Sequence, residues 1–107
     1  MNGQLTIDVT GGEVCSPVVP LLSDADPTGA TVSFGVSADA YTAPSSYTAG
    51  SWSGTWTSAQ LPVYARTPTL GASATIPLTA GSSYVLWCKV VSVGSETFAG
   101  KWSVRAT

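Results

Sequence analysis

The chain has 107 residues, the length of one domain, and a net charge of −2 with 9% charged residues, where an average soluble domain carries ~25%. Four basic residues against six acidic ones argue against a broad nucleic-acid surface, and no apolar run nears the ~20 residues of a membrane helix. Histidine is absent, which removes the commonest general acid–base. Polarity comes instead from Ser, Thr and Gly, so the surface has few charges to desolvate when a neighbour packs against it.

The opening "MNGQLTIDV" lacks the basic and apolar regions of a secretory signal, so the expectation is a protein left in the cytosol where it is made. In "QLTIDVT", Leu5, Ile7 and Val9 alternate with Thr6 and Asp8, the period of a strand with one buried face. Cys15 and Cys88 are read as two free thiols, as in a reducing compartment. Asp24 and Asp26 beside "PTG" read as a turn in which Asp bonds its own backbone. A hard-cation loop would supply more oxygens at set spacing. "ATVSFGVSA" places Val32, Phe34 and Val36 on one face. The segment 39–60 is aromatic among small residues, with strands expected near 47–53 and 62–66. Within it Trp52, Trp56, Tyr41 and Tyr47 either fold over the open end of the core, meet a protein, or form a stacking surface for sugar, with Trp52 and Trp56 at its centre.

Toward the end, "ASATIPLT" aligns Ala72, Ala74, Ile76 and Leu78, and Pro77 suits an edge strand. "YVLWCKVV" turns Tyr84, Leu86, Cys88 and Val90 inward, and "FAGKWSVRA" does the same for Phe98, Trp102 and Val104. Period two throughout, with Gly, Pro, Ser and Thr as punctuation, predicts an all-β domain spanning 1–107, built as an antiparallel β-sandwich of about seven strands. Leu78, Gly81 and Tyr84 mark a corner between layers: a strand end, a turn, then a ring whose hydroxyl bonds backbone upstream. By parity Trp87 and Lys89 face outward beside Lys101 and Arg105, and Arg66 joins them if its strand flanks theirs. This makes a basic stripe around an exposed tryptophan, suited to an acidic protein surface. Lys89 and Cys88 point to opposite faces, so the lysine does not activate the thiol. No catalytic, cofactor or metal constellation emerges, and an enzyme is not expected.

Leu78, Gly81, Tyr84 and the alternating strand after them resemble the immunoglobulin-like and fibronectin type III pattern over roughly residues 72–106. Ala80 and Ser82 replace the proline and threonine common there, and Cys88 follows Tyr84 by four residues, so the intersheet disulfide of antibody domains is not implied. Tyr64–Ala65–Arg66, the run from Tyr84 to Val90 with Trp87 and Lys89, and the run from Ala99 to Val104 also resemble small immunoglobulin-like virion proteins of tailed bacteriophages. That resemblance implies a structural component on the capsid exterior, assembled in the host bacterial cytoplasm. It would be a capsid decoration protein whose partners are the major capsid protein and copies of itself, with no direct nucleic-acid or membrane contact. A head–tail connector or tail-associated protein is the alternative within that class, and a carbohydrate-binding adhesion module the alternative outside it.

Overall fold

The longest alternating runs form the longest strands. In the structure, a computed structural model describing residues 4–92 and 95–107, the centre is a hairpin of β10 (Ser83–Ser92) and β11 (Ser95–Ala106). Ahead of it in the chain come β1 (Gln4–Ile7), β2 (Val14–Cys15), β3 (Val18–Leu21), β4 (Thr31–Ser37), β5 (Thr48–Ala49), β6 (Ser51–Trp52), β7 (Val63–Arg66), β8 (Leu70–Gly71) and β9 (Ile76–Pro77). No helix occurs among the described residues.

Three sheets enclose one core. The largest runs β1-β11-β10-β4-β5, and two three-stranded sheets run β2-β8-β9 and β3-β7-β6. Ile7, Val32, Phe34, Leu86, Cys88 and Val104 from the first meet Val19, Val63, Ala65, Leu70 and Ile76 from the others in a single buried cluster. Each such aliphatic or aromatic side chain contributes ~1.5–3 kcal/mol by leaving water. Trp102 and Val104 lie on or against this cluster; the side chain of Phe98, expected beside them, falls outside the described residues.

Two of these sheets are mixed. β10 is antiparallel to both β4 and β11, but β1 runs parallel to β11 and β8 parallel to β9. Alternation of apolar residues says which face is buried and carries nothing about strand direction, so the wholly antiparallel arrangement expected from sequence is corrected here. Among the described residues, five of the eleven strands, β2, β5, β6, β8 and β9, are only two residues long. Backbone breaks cause this. The strand expected over 72–78 shrinks to Ile76–Pro77 because the chain turns at Gly71 and Ser73, both at positive φ (133° and 54°). Gly71 also passes so close to the Glu13 carbonyl that a Cβ would lie 2.2 Å from it. Between β5 and β6 the chain leaves one sheet for another at Gly50, where a Cβ would meet the Arg66 carbonyl at 2.4 Å and the Phe34 ring at 2.6 Å. β9, carrying Pro77, is an edge strand, where a missing N–H costs no ladder bond.

At the junction before β10, Leu78 is buried, Gly81 adopts φ 87°, and the Thr79 N–H donates to Tyr84 Oη at 2.8 Å. Gly81 N–H reaches the Ala106 carbonyl at 2.8 Å, and Ala106 N–H reaches the Ser82 carbonyl at 2.9 Å. The turn is thereby tied to the last strand as well as to its own tyrosine.

Candidate functional site

Strand pairing sets one cationic face. Trp87 lies opposite Lys101 on β11 and Gly35 on β4, Lys89 opposite Ser33, and Arg105 opposite Ser83. Trp87, Lys89, Lys101 and Arg105 therefore share the outer face of the five-stranded sheet, away from Leu86 and Cys88. Arg66 does not join them. It sits on β7 in the β3-β7-β6 sheet, exposed, with Nη1 donating to the Ser16 carbonyl at 2.9 Å.

The exposed tryptophan expected at the centre of this face is also corrected: Trp87 retains only 5% of its accessible surface. Residues 38–47 form a strap across it. Gly35, in the middle of β4, leaves room for the strap, since a Cβ there would meet the Ser46 carbonyl at 2.5 Å and Pro44 Cβ at 2.8 Å. The Trp87 indole N–H donates to Ser37 Oγ at 2.8 Å. Lys101 Nζ lies 4.2 Å from the centre of the Trp87 ring and donates to the Ala40 carbonyl at 3.0 Å, clamping strap to sheet. Farther along, Lys89 Nζ lies 3.9 Å from the centre of the Tyr47 ring. Cations and aromatics on this face hold each other, and burial extends to both sides of β4 at Ser33, Phe34 and Gly35.

What the strap offers outward is Tyr41, 95% exposed at its tip. Asp39 fixes that tip by accepting the Tyr41 and Thr42 N–H groups at 2.8 Å each, and Ser37 Oγ donates to the Asp39 carbonyl at 2.7 Å. The two amide donors hold the Asp39 carboxyl below its ordinary range, so it stays charged and in place at neutral pH. Arg105 is exposed on the same sheet face, with Nη1 donating to Ser83 Oγ at 3.0 Å. The exposed phenol of Tyr41 is the feature that parity could not reach, because it rests on a loop.

Trp52 ends β6 and Trp56 follows it on the way to β7, both half-buried against the core. Their indole N–H groups donate to the Ala30 and Ser23 carbonyls at 2.9 and 3.0 Å. Both rings thus staple loops to the core instead of forming an open stacking platform. Asp26 accepts the Thr28 hydroxyl at 2.6 Å and the Thr28 N–H at 2.9 Å, an Asp-led turn that holds its carboxyl below the ordinary range. Among the described residues no group of acidic and sulfur side chains is placed to hold a metal. Cys15 and Cys88 are free; burial pushes the Cys88 thiol up to about 12, and burial followed by the Glu13 charge raises Cys15. Both are poor nucleophiles at neutral pH.

A pocket of about 160 Å³ opens between the strap and β9, lined by Phe34, Val36, Ser45, Thr48, Thr75 and Pro77. It has room for a few water molecules and no charged wall. Compared with known proteins, the chain matches no family model, no curated protein and no solved structure.

Proposed function

We propose that this chain is a structural virion protein of a tailed bacteriophage, a capsid decoration protein with an immunoglobulin-like sandwich, and that it works by adhesion. The observation that carries the reading is the strapped cationic face. Lys89, Lys101 and Arg105, three of the four basic residues, share one sheet face, and a fixed strap presents Tyr41 above it. A rigid exposed tyrosine beside fixed cations is a contact surface suited to an acidic protein partner. Tyrosine gives large contact area at low entropic cost, and the cations favour the encounter. A surface otherwise built from neutral polar residues adds little desolvation cost when neighbours crowd it.

On this reading the decoration protein spans capsid subunits from outside, adding interface area and raising the barrier to shell rupture. Many equivalent sites let a modest interface act collectively. Trp87 is a structural element beneath the contact surface, so substitutions that test docking belong at Tyr41 and Arg105. Tyr41→Ala with Arg105→Glu is expected to release the protein from purified particles while its circular dichroism spectrum stays unchanged. Wild-type band intensity on a gel is expected to correspond to hundreds of copies per particle. Retention of the double variant at normal occupancy rejects this face, and a copy number of a few tens or fewer moves the protein to a connector or tail position.

A further inference from the structure

The opposite side of the molecule carries a second surface of different character. On the β3-β7-β6 sheet, burial alternates so that Val19, Leu21, Val63 and Ala65 point into the core while Val18, Pro20, Tyr64 and Arg66 point out. Pro20 lies opposite Tyr64 and Val18 opposite Arg66. Just past the paired segment come Leu22, 70% exposed, and Leu61, 56% exposed; Tyr64 is 44% exposed. Among the described residues, three of the five large apolar side chains left in solvent therefore gather on this face and at its end. An apolar group of this kind on an otherwise polar surface marks an association site.

Charge decides what covers it. Arg66 stands at one end of the apolar stripe. At the other end, two and four residues beyond Leu22, stand Asp24 and Asp26, both exposed. Arg66 and Leu22 are separated by about four strand positions, roughly 13 Å at ~3.3 Å per residue. A stripe that is positive at one end, apolar in the middle and negative at the other complements its own image after a half-turn. Rotating a second copy about an axis between Tyr64 and Leu22 lays apolar centre on apolar centre. It brings each Arg66 toward the other copy's Asp24, a contact made twice. Asp26 is already committed to Thr28, which leaves Asp24 as the receiving carboxylate. Edge-to-edge strand pairing is disfavoured at both edges of this sheet, because β3 carries Pro20 and β6 is only two residues long, so face-to-face packing is the favoured mode.

We infer that the outer face of β3, β7 and β6 is a two-fold interface between two copies of this chain, with Leu22, Leu61 and Tyr64 at its centre and reciprocal Arg66–Asp24 pairs at its rim. This is an isologous contact. It uses the face opposite the strap and stands whether or not the particle reading holds.

Sedimentation velocity over a concentration series tests it. The wild-type chain is expected to dimerise, more weakly as salt is raised. Leu22→Glu and, separately, Tyr64→Glu are expected to give monomers whose near-ultraviolet circular dichroism matches wild type. Arg66→Asp and Asp24→Arg are each expected to raise the dimer dissociation constant about tenfold or more. The double variant Arg66→Asp/Asp24→Arg restores the pairing with signs exchanged and is expected to recover most of the loss, which a merely structural role for either residue would not produce. A wild-type chain that stays monomeric throughout, a dimer indifferent to Leu22→Glu and Tyr64→Glu, or a double variant as weak as its worse parent overturns the inference.

Discussion

The two outer faces of this molecule are built from the same alternating pattern and end in opposite states. On the five-stranded sheet the outward Trp87 is covered, because Gly35 beside it makes room for residues 38–47 and Lys101 clamps them down. On the β3-β7-β6 sheet the outward Tyr64 and the nearby Leu22 stay open. Strand parity assigns a side chain to a face. Whether that face meets water depends on what the connecting segments do, and here a single glycine decides it.

The largest expected effect is therefore an asymmetry in stability. Trp87→Ala empties a filled site and is expected to cost about 3–5 kcal/mol. Leu22→Ser on the open face, measured at concentrations where the chain is monomeric, is expected to stay within about 0.5 kcal/mol. Urea unfolding of the two variants makes the comparison directly, and a Trp87→Ala cost as small as that of Leu22→Ser breaks it.

Next in size is Gly35→Val. Its side chain collides with the Ser46 carbonyl and Pro44, so the strap must lift or the strand must shift. Overpacking of this kind costs about 1–3 kcal/mol. It is expected to bring a red shift in tryptophan fluorescence as Trp87 meets water, and unchanged emission with full stability would mean that the strap lies elsewhere.

A third expected effect concerns the core beneath both faces. Cys88 ionises near its ordinary value of 9.0 when unfolded and near about 12 when folded. The folded state keeps its proton to higher pH than the unfolded state. This contribution is fully present below about pH 9 and is lost as pH rises toward 12. Cys88→Ala is expected to lower stability at neutral pH through lost packing, yet to fall less steeply between pH 9 and 11; an identical alkaline slope in both proteins contradicts a protonated, buried thiol.

Much of the layer structure was legible in the sequence. The inward sets on β4 and β10, and Trp102 and Val104 on β11, follow directly from period two, because one face must leave water. Lys89, Lys101 and Arg105 share a face for the same reason. The placement of Arg66 was not legible, because its strand's partners are set by the crossing at Gly50, and nothing local says which sheet a strand enters. The cover over Trp87 left one signal, a glycine in the interior of "TVSFGVS", where a strand normally avoids it unless another backbone comes close. Gly50 carries the same signal among the aromatics. Tyr41 could be read only as one of several loop aromatics, since its exposure depends on the turn that Asp39 builds.

The most direct test of the unequal faces is hydrogen exchange at the four tryptophan indole N–H groups, read by nuclear magnetic resonance and assigned from the spectrum of Trp87→Phe. With its ring under the strap and its N–H on Ser37, Trp87 is expected to exchange only through opening of the strap or of the whole domain, orders of magnitude slower than a free indole. Complete exchange of the Trp87 indole as fast as a solvent-exposed indole, in a sample whose core amides remain protected, would contradict the covered face and with it the surface proposed for docking.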